Sequence, residues 1–520
     1  MLKADASQSA SIAGYNGPRL CEGHVLLVDR FLFTIRLLLM NKPALTRSQR
    51  TTICLAALVA LSLSAKTPAQ TLARPGWVGS GMTARTWFKH AVLYRIDTRT
   101  FAQSSKEPDG TGGTLKGIAE RLDYIHDLGV DAILLEDLAP STGATGSSPI
   151  EPALGTVDDF DELSLQASRR SLRILLTISH PDPALARYWL TRGVAGFYVP
   201  GDPNSPAVAA IRKLLPSFVG QRVLITDADL SGATAKASAN ELQLDGAFLK
   251  LPTPPATNVA AELRGALEGD QALLRTGSPA MATDAQGLPR SVNRFAPAGS
   301  EREAAKLIAA VLLLNRSAPV IYAGQELGVP SASGSSAMIP WGKPPVAEPE
   351  PTEEAAAPKP APPPAAPQTP FVASERYVPY VAPVKPVKPA KPAPPDPATA
   401  AGQELNPNSV LSFYRQLIQL HHGRNSVRDG DDVLLNYDSA NALVWVRKTA
   451  NPSLANPPLV VVCNLSAKPL SLPLKTDLTN LHLRGSFLRS VLNPESQPVS
   501  MDLNPVVLPP YGVYIGELRY

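Results

Sequence analysis

The chain has 520 residues, enough for two or three domains, with a formal charge of only +4 and a hydrophobic share of 44%. No Lys/Arg run forms a nucleic-acid patch, which argues against a nucleic-acid partner. Three cysteines exclude a disulfide framework and a cysteine-based metal site. Cys21 and Cys54 fall in N-terminal segments expected to be lost, and Cys463 lies in an apolar run as a small buried hydrophobe.

Residues 40–69 have the three parts of a secretory signal peptide. Lys42, Arg47 and Arg50 make a basic start, Cys54 to Leu63 an apolar core, and Ala65 and Ala69 small cleavage positions. The apolar core is shorter than the ~20 residues a membrane span needs. The mature chain is therefore expected to be secreted or periplasmic, with no membrane span. Residues 1–39 do not fit a signal. They read as a non-native upstream extension, with Met40 as the start; an extended signal region is the alternative.

From residue 89 the chain alternates short apolar strands with helices. Strands are expected at Ala91 to Ile96, Asp131 to Leu135, Leu172 to Ile178, Val194 to Val199, Arg222 to Thr226, Gly246 to Leu251, Gln271 to Arg275 and Pro319 to Tyr322. Helices are expected at Leu115 to Leu128 (ended by Gly129), Val157 to Ser168, Ser205 to Leu215, Asn258 to Leu267, Glu301 to Leu314 and Val410 to His421. Eight βα units predict an α/β fold, a (β/α)8 TIM barrel over residues 85–422.

Prolines number 53, about twice the usual share of ~5%. Many crowd into residues 343–404, which cannot bury a core and are expected to be disordered or extended. This insert follows the eighth strand, so it leaves from the barrel face where active sites sit. It reads as a solvated insert, with a lid or a partner-binding arm as the alternatives. Beyond residue 422, alternating strands and turns predict a small antiparallel β-sandwich domain, 423–520.

Several stretches taken in order resemble glycoside hydrolase family 13, the α-amylase family. They are Trp87 to Tyr94, Gly113 to Ile118, Leu122 to Tyr124, Leu128 to Ile133, Leu154 to Leu163, Pro319 to Gly328, Trp341 and Ser412 to Ile418. The resemblance implies a barrel with a C-terminal β domain, and carbohydrate as the substrate class. It also implies a carboxylate nucleophile, a carboxylic acid, a third carboxylate and a His/Asn sugar-binding set.

The positions matching that chemistry have changed. The family's Gly-Phe-Arg-Leu-Asp reads Gly196-Phe197-Tyr198-Val199-Pro200, so Pro200 stands in the nucleophile position and Tyr198 in that of its arginine. Proline has no group that can attack carbon. The motif Asp-x-x-x-Asn-His reads Leu175 to His180, with Leu175 for Asp, Ser179 for Asn and only His180 kept. The acid/base position falls on Asp227. With strand seven at Gln271 to Arg275, Thr276 to Ser278 offers no third carboxylate. The Asp109 to Gly113 loop is short of acids, so no metal is expected, and no cofactor.

Three readings follow. The first is an exported pseudoenzyme that binds a glycan, with His180, Asp202 and Asp227 as sugar-binding candidates, or binds a partner protein. The second is an active α-glucan hydrolase or transglycosidase with relocated carboxylates, Asp202 and Asp227; against it, Asp202 reads more simply as a turn residue and Asp227 as a loop or cap residue. The third is a scaffold that works through the proline-rich insert.

Overall fold

The computed structural model describes residues 87–520 apart from 106–111, 137, 141–148, 229–238, 251–258, 276, 296, 298, 332–337, 343–394, 454–455 and 494–495. The N-terminal extension, the signal segment, Asp109, Asp229, Thr276 and most of the proline-rich insert lie outside the described residues. Those described fall within one compact unit, Ser80–Tyr520.

Eight parallel strands close into a barrel in chain order: β1 (Leu93–Ile96), β2 (Ala132–Leu135), β3 (Arg173–Thr177), β4 (Gly196–Val199), β5 (Val223–Asp227), β6 (Glu241–Asp245), β7 (Pro279–Ala282) and β8 (Ala318–Tyr322). The closing pair is β1 with β8, Leu93 opposite Val320. Alternation at period two decides what points inward. Leu93, Leu134, Leu175, Ile225, Leu242, Leu244 and Val320 fill the barrel, with Ala132, Ala280, Ala282 and Ala318 where space is tight. Their neighbours, such as Tyr94, Ile133, Leu176 and Ile321, face the helical sheath.

Several helices on the sheath begin at side-chain caps. After the short α1 (Thr98–Phe101) come α2 (Leu115–Glu120), capped by Thr114, and α3 (Leu122–Leu128), ended by Gly129 at φ 104°. The single helix expected over Leu115 to Leu128 is thus broken at Arg121, whose φ of −107° leaves the helical region. α4 (Val157–Arg169) starts in a capping box of Thr156 with Asp159. α5 (Pro183–Thr191) and α6 (Pro206–Leu214) each start on a proline behind an Asp or Ser cap. α7 (Val259–Leu273), α8 (Ser291–Phe295) and α9 (Glu301–Leu313) complete the sheath before β8.

Two expected strands are displaced. Gly246 to Leu251 is not strand six: Phe248–Lys250 is a 3-10 turn, and β6 precedes it. Gln271 to Arg275 is not strand seven, because α7 continues through Leu273. The true β7, Pro-Ala-Met-Ala, has weak β propensity. It is a strand because small inward residues, Ala280 and Ala282, fit the narrow interior.

The insert expected to run to residue 404 has a folded end. Thr399 caps α10 (Ala400–Glu404), and the buried Gln403 amide bridges Leu327 O at 2.8 Å and Leu411 N at 3.1 Å. α11 (Val410–Gly423) and α12 (Asn425–Arg428) then lead to the β domain.

That domain is a six-stranded antiparallel sheet in the order β14 (Ser500–Asp502), β13 (Phe487–Ser490), β16 (Val513–Arg519), β11 (Leu459–Asn464), β10 (Ala442–Lys448), β9 (Asp431–Leu435). A two-stranded sheet, β12 (Leu470–Leu472) with β15 (Val506–Leu508), and α13 (Lys475–Asn480) accompany it. Leu443, Trp445, Val461, Cys463 and Ile515 join the barrel's outer core, and Trp445 Nε1 donates to Leu314 O at 3.0 Å. Val444, Val446, Val460, Val462 and Tyr514 form the domain's own core on the other face. Burial on both faces explains why β10 and β11 read as unbroken apolar runs.

Candidate active site

The mouth of the barrel is set by the residues that continue the inward series of each strand. Arg95 follows Leu93, Glu136 follows Leu134, Thr177 follows Leu175, Tyr198 follows Gly196, Asp227 follows Ile225 and Tyr322 follows Val320. All are buried except Asp227, which is half-buried.

Four of them form a chain of contacts across the barrel. Glu136 accepts from Arg95 Nε at 2.6 Å and from Nη2 at 3.2 Å, a two-point charge pair. Burial alone would lower the Arg95 pKa; Glu136 outweighs it and the net direction is upward. The Arg95 guanidinium lies 5.1 Å from the centre of the Tyr198 ring. Tyr198 donates its hydroxyl to Asp227 Oδ1 at 2.8 Å, and the Gly201 amide donates to Oδ2 at 2.8 Å. Burial, then the Asp227 carboxylate, push the Tyr198 phenol well above its ordinary range. The phenol stays a proton donor, and both Asp227 oxygens are engaged by protein.

The sequence-derived candidates separate here. Pro200 is the first residue beyond β4, at the tip of the strand. Asp227 ends β5, joined to the β4 side through Tyr198 and Gly201. Asp202 is exposed and accepts from the Asn204 amide at 2.9 Å, closing a local turn. His180 is exposed beyond the end of β3, and Leu175 is fully buried in the barrel. Asp202 and Asp227 each bond to separate protein groups, and Asp202 faces solvent.

The placement of β7 corrects one reading. Thr276 to Ser278 precede strand seven, and Thr283-Asp284 follow it, so a carboxylate does stand at the end of that strand. Asp284 is 2% exposed. It accepts from the Ser291 amide at 2.5 Å and from Ser291 Oγ at 3.0 Å. Burial raises its pKa, opposed by Arg290, Ser291 and Arg294. Its oxygens hold the start of α8.

Arg95 and Glu136 were also missed. A charged residue in the inward register of an apolar strand, with an acid just past the end of the next strand, was the available signal. Among the described residues, no group of three or more His, Cys, Asp or Glu side chains is placed to hold a metal, and no helix is long and apolar enough to cross a membrane.

A retaining glycosidase needs two carboxyl groups about 5 Å apart on either side of the scissile bond. The tip of β4 supplies a pyrrolidine ring, the tip of β5 a doubly bonded aspartate, and the end of β7 a buried one. Among the described residues, these contacts tie the ends of neighbouring strands together and order the mouth.

A model of the α-amylase catalytic domain matches residues 95–180. The match runs from within β1 to just past β3 and stops before Pro200 and Asp227. The trehalose-6-phosphate hydrolase of Escherichia coli is 33% identical over 135 residues, 23% of this chain and 24% of that protein. The trehalose synthase/amylase TreS of Mycobacterium tuberculosis is 42% identical over 103 residues, 18% of this chain and 17% of that protein. The chain thus spans about a quarter or less of the length of the curated relatives it matches. Among solved structures, the isomaltulose synthase of Erwinia rhapontici NX5 aligns with a TM-score of 0.60 at 17% identity, covering 84% of this chain and 99% of that one. The trehalose-6-phosphate hydrolase of Bacillus licheniformis gives 0.59 at 15% identity, covering 84% and 100%. Sequence and fold together link the chain to the α-amylase superfamily, as a divergent relative.

Proposed function

We propose that this protein is a divergent member of the α-amylase family that has given up glycoside hydrolysis and works by binding carbohydrate. The observation that carries the reading is the coupling at the mouth: a proline at the tip of β4, with both oxygens of Asp227 held by Tyr198 and Gly201. A group that donates a proton in the transition state needs an oxygen turned toward substrate, within hydrogen-bond reach. The sugars named for the relatives, trehalose 6-phosphate and trehalose, support carbohydrate as the ligand class. Export to the periplasm or the medium, with the 40–69 segment removed, is part of the same proposal.

The test incubates the purified chain with starch, maltooligosaccharides, trehalose and sucrose, beside an Asp227→Asn variant. The expected result is saccharide binding by calorimetry, with product formation at background in both proteins. Turnover by the parent that Asp227→Asn abolishes would overturn the reading.

A further inference from the structure

A groove of about 570 Å³ opens on the β domain, lined by the turn between β9 and β10 together with α13. None of its residues belongs to the barrel mouth. Four leucines supply its apolar wall, while Asn436, Tyr437 and Asp438 on the turn and Asp477 and Asn480 on α13 supply polar groups. That size and that mixture, an apolar wall with a few polar groups, suit a small-molecule site.

The turn is held from beneath. Arg264, on α7 of the barrel and 4% exposed, points its guanidinium at the carbonyls of Asn436 (2.9 Å), Tyr437 (3.3 Å), Ala442 (2.6 Å) and Ser439. Asn436 has a left-handed φ of 53°, a conformation asparagine tolerates better than most residues. A turn so fixed loses little freedom when a ligand arrives.

The Tyr437 hydroxyl donates a hydrogen bond to Glu268, and its ring remains exposed. Tyr437 is 58% exposed although it is a large aromatic. Asn436 Nδ2 is buried without a hydrogen-bond partner. The side chains of Asp438, Asp477 and Asn480 make no hydrogen bond among the described residues. The lining holds two carboxylates and no Lys, Arg or His, so phosphates, nucleic acids and acidic peptides are repelled. A neutral ligand rich in hydroxyls matches the rest. Its hydroxyls donate to the carboxylates and accept from the Asn480 amide, and an apolar C–H face lies on the tyrosine ring.

From this we infer that the groove is a saccharide-binding site, taking one or two rings of a neutral oligosaccharide with one ring stacked on Tyr437. The inference rests on the carbohydrate-binding reading above and adds a location away from the barrel mouth.

Calorimetric titration of the full chain with maltotriose, isomaltotriose, trehalose and sucrose tests it. Binding of at least one probe is expected, weakened roughly tenfold or more by Tyr437→Ala and by Asn480→Ala, and kept by Tyr437→Phe. Binding unchanged in Tyr437→Ala and Asn480→Ala but lost in Tyr198→Ala overturns the groove and leaves the carbohydrate reading standing. Hydrolysis by a protein whose sugar binding Tyr437→Ala still abolishes sinks the non-catalytic reading and supports the groove. No binding of any probe overturns both.

Discussion

Tyr198 and Asp227 meet at 2.8 Å, phenol to carboxylate, across the gap between the fourth and fifth barrel strands. Tyr198 stands where the resemblance implies an arginine, and Asp227 where it implies the acid/base carboxyl group. Their contact makes the mouth a mutually supported arrangement.

Removing the phenolic hydroxyl tests that support. Tyr198→Phe keeps the ring under Arg95 and deletes one donor to Asp227. Loss of this part-buried hydrogen bond costs about 1 kcal/mol, so the midpoint of denaturant unfolding is expected to fall with an unchanged m-value. No hydrolytic activity is expected to emerge. An unaltered midpoint would show that the contact contributes nothing to stability.

Restoring the missing carboxylate is expected to fail. Pro200→Asp puts an acid at the tip of β4, but Asp227 remains held and Asp284 remains buried on Ser291. Product formation from maltooligosaccharides should stay at background. If this single change yields turnover, the proline alone is what silences the site.

The strand pattern was legible where apolar runs were long and β-branched, as in β3, β5 and β8. It failed at β6 and β7. Glu241 to Asp245 carries three polar residues, and its two leucines were too few to outweigh the more apolar Gly246 to Leu251. Pro279 to Ala282 has no strong strand former. That slip had a consequence at the site, because it hid Asp284. Pro200 and Asp227 could be placed from sequence; what holds Asp227 could not, since Tyr198 and Gly201 lie 29 and 26 residues away and meet it only through barrel closure.

Asp270, on α7, gives a signature in pH. Burial raises its pKa to about 8, eased by a hydrogen bond from Ser317 and heightened by Asp245 and Asp432. An acid whose folded pKa lies above its unfolded value favours folding fully below that unfolded value, and the favour is lost as pH rises toward 8. The slope is at most about 1.4 kcal/mol per pH unit. Asp270→Asn removes the ionisation and keeps the shape. Its thermal midpoint should match the parent near pH 4 and rise above it progressively toward pH 8. Parallel curves across that range would refute a buried neutral acid.

His421 acts in the opposite direction. Burial, then His422, lower its pKa to about 3, although Leu313 O and His90 O face its two ring nitrogens at 2.9 and 3.2 Å. Neighbouring His90 is lowered to about 4 by burial, against Asp429. A base with a depressed folded pKa stabilises fully above its unfolded value near 6.5, and that contribution is lost as pH falls toward 3. His421→Gln keeps a donor for Leu313 O and cannot titrate. Its stability should decline less steeply than the parent's between pH 6.5 and 4, as read by denaturant midpoints.

One of the two hands on Asp227 is the main-chain amide of Gly201. A side chain can be exchanged by a single codon; a peptide N–H travels with every residue except proline. Glycine at φ 97° is also the residue that lets the chain turn there. Replacing side chains around the mouth can therefore loosen Asp227 from one side only. Freeing it would mean rerouting the backbone after the fourth strand, so what Asp227 can offer a ligand is set by the loop's course as well as by its amino acids.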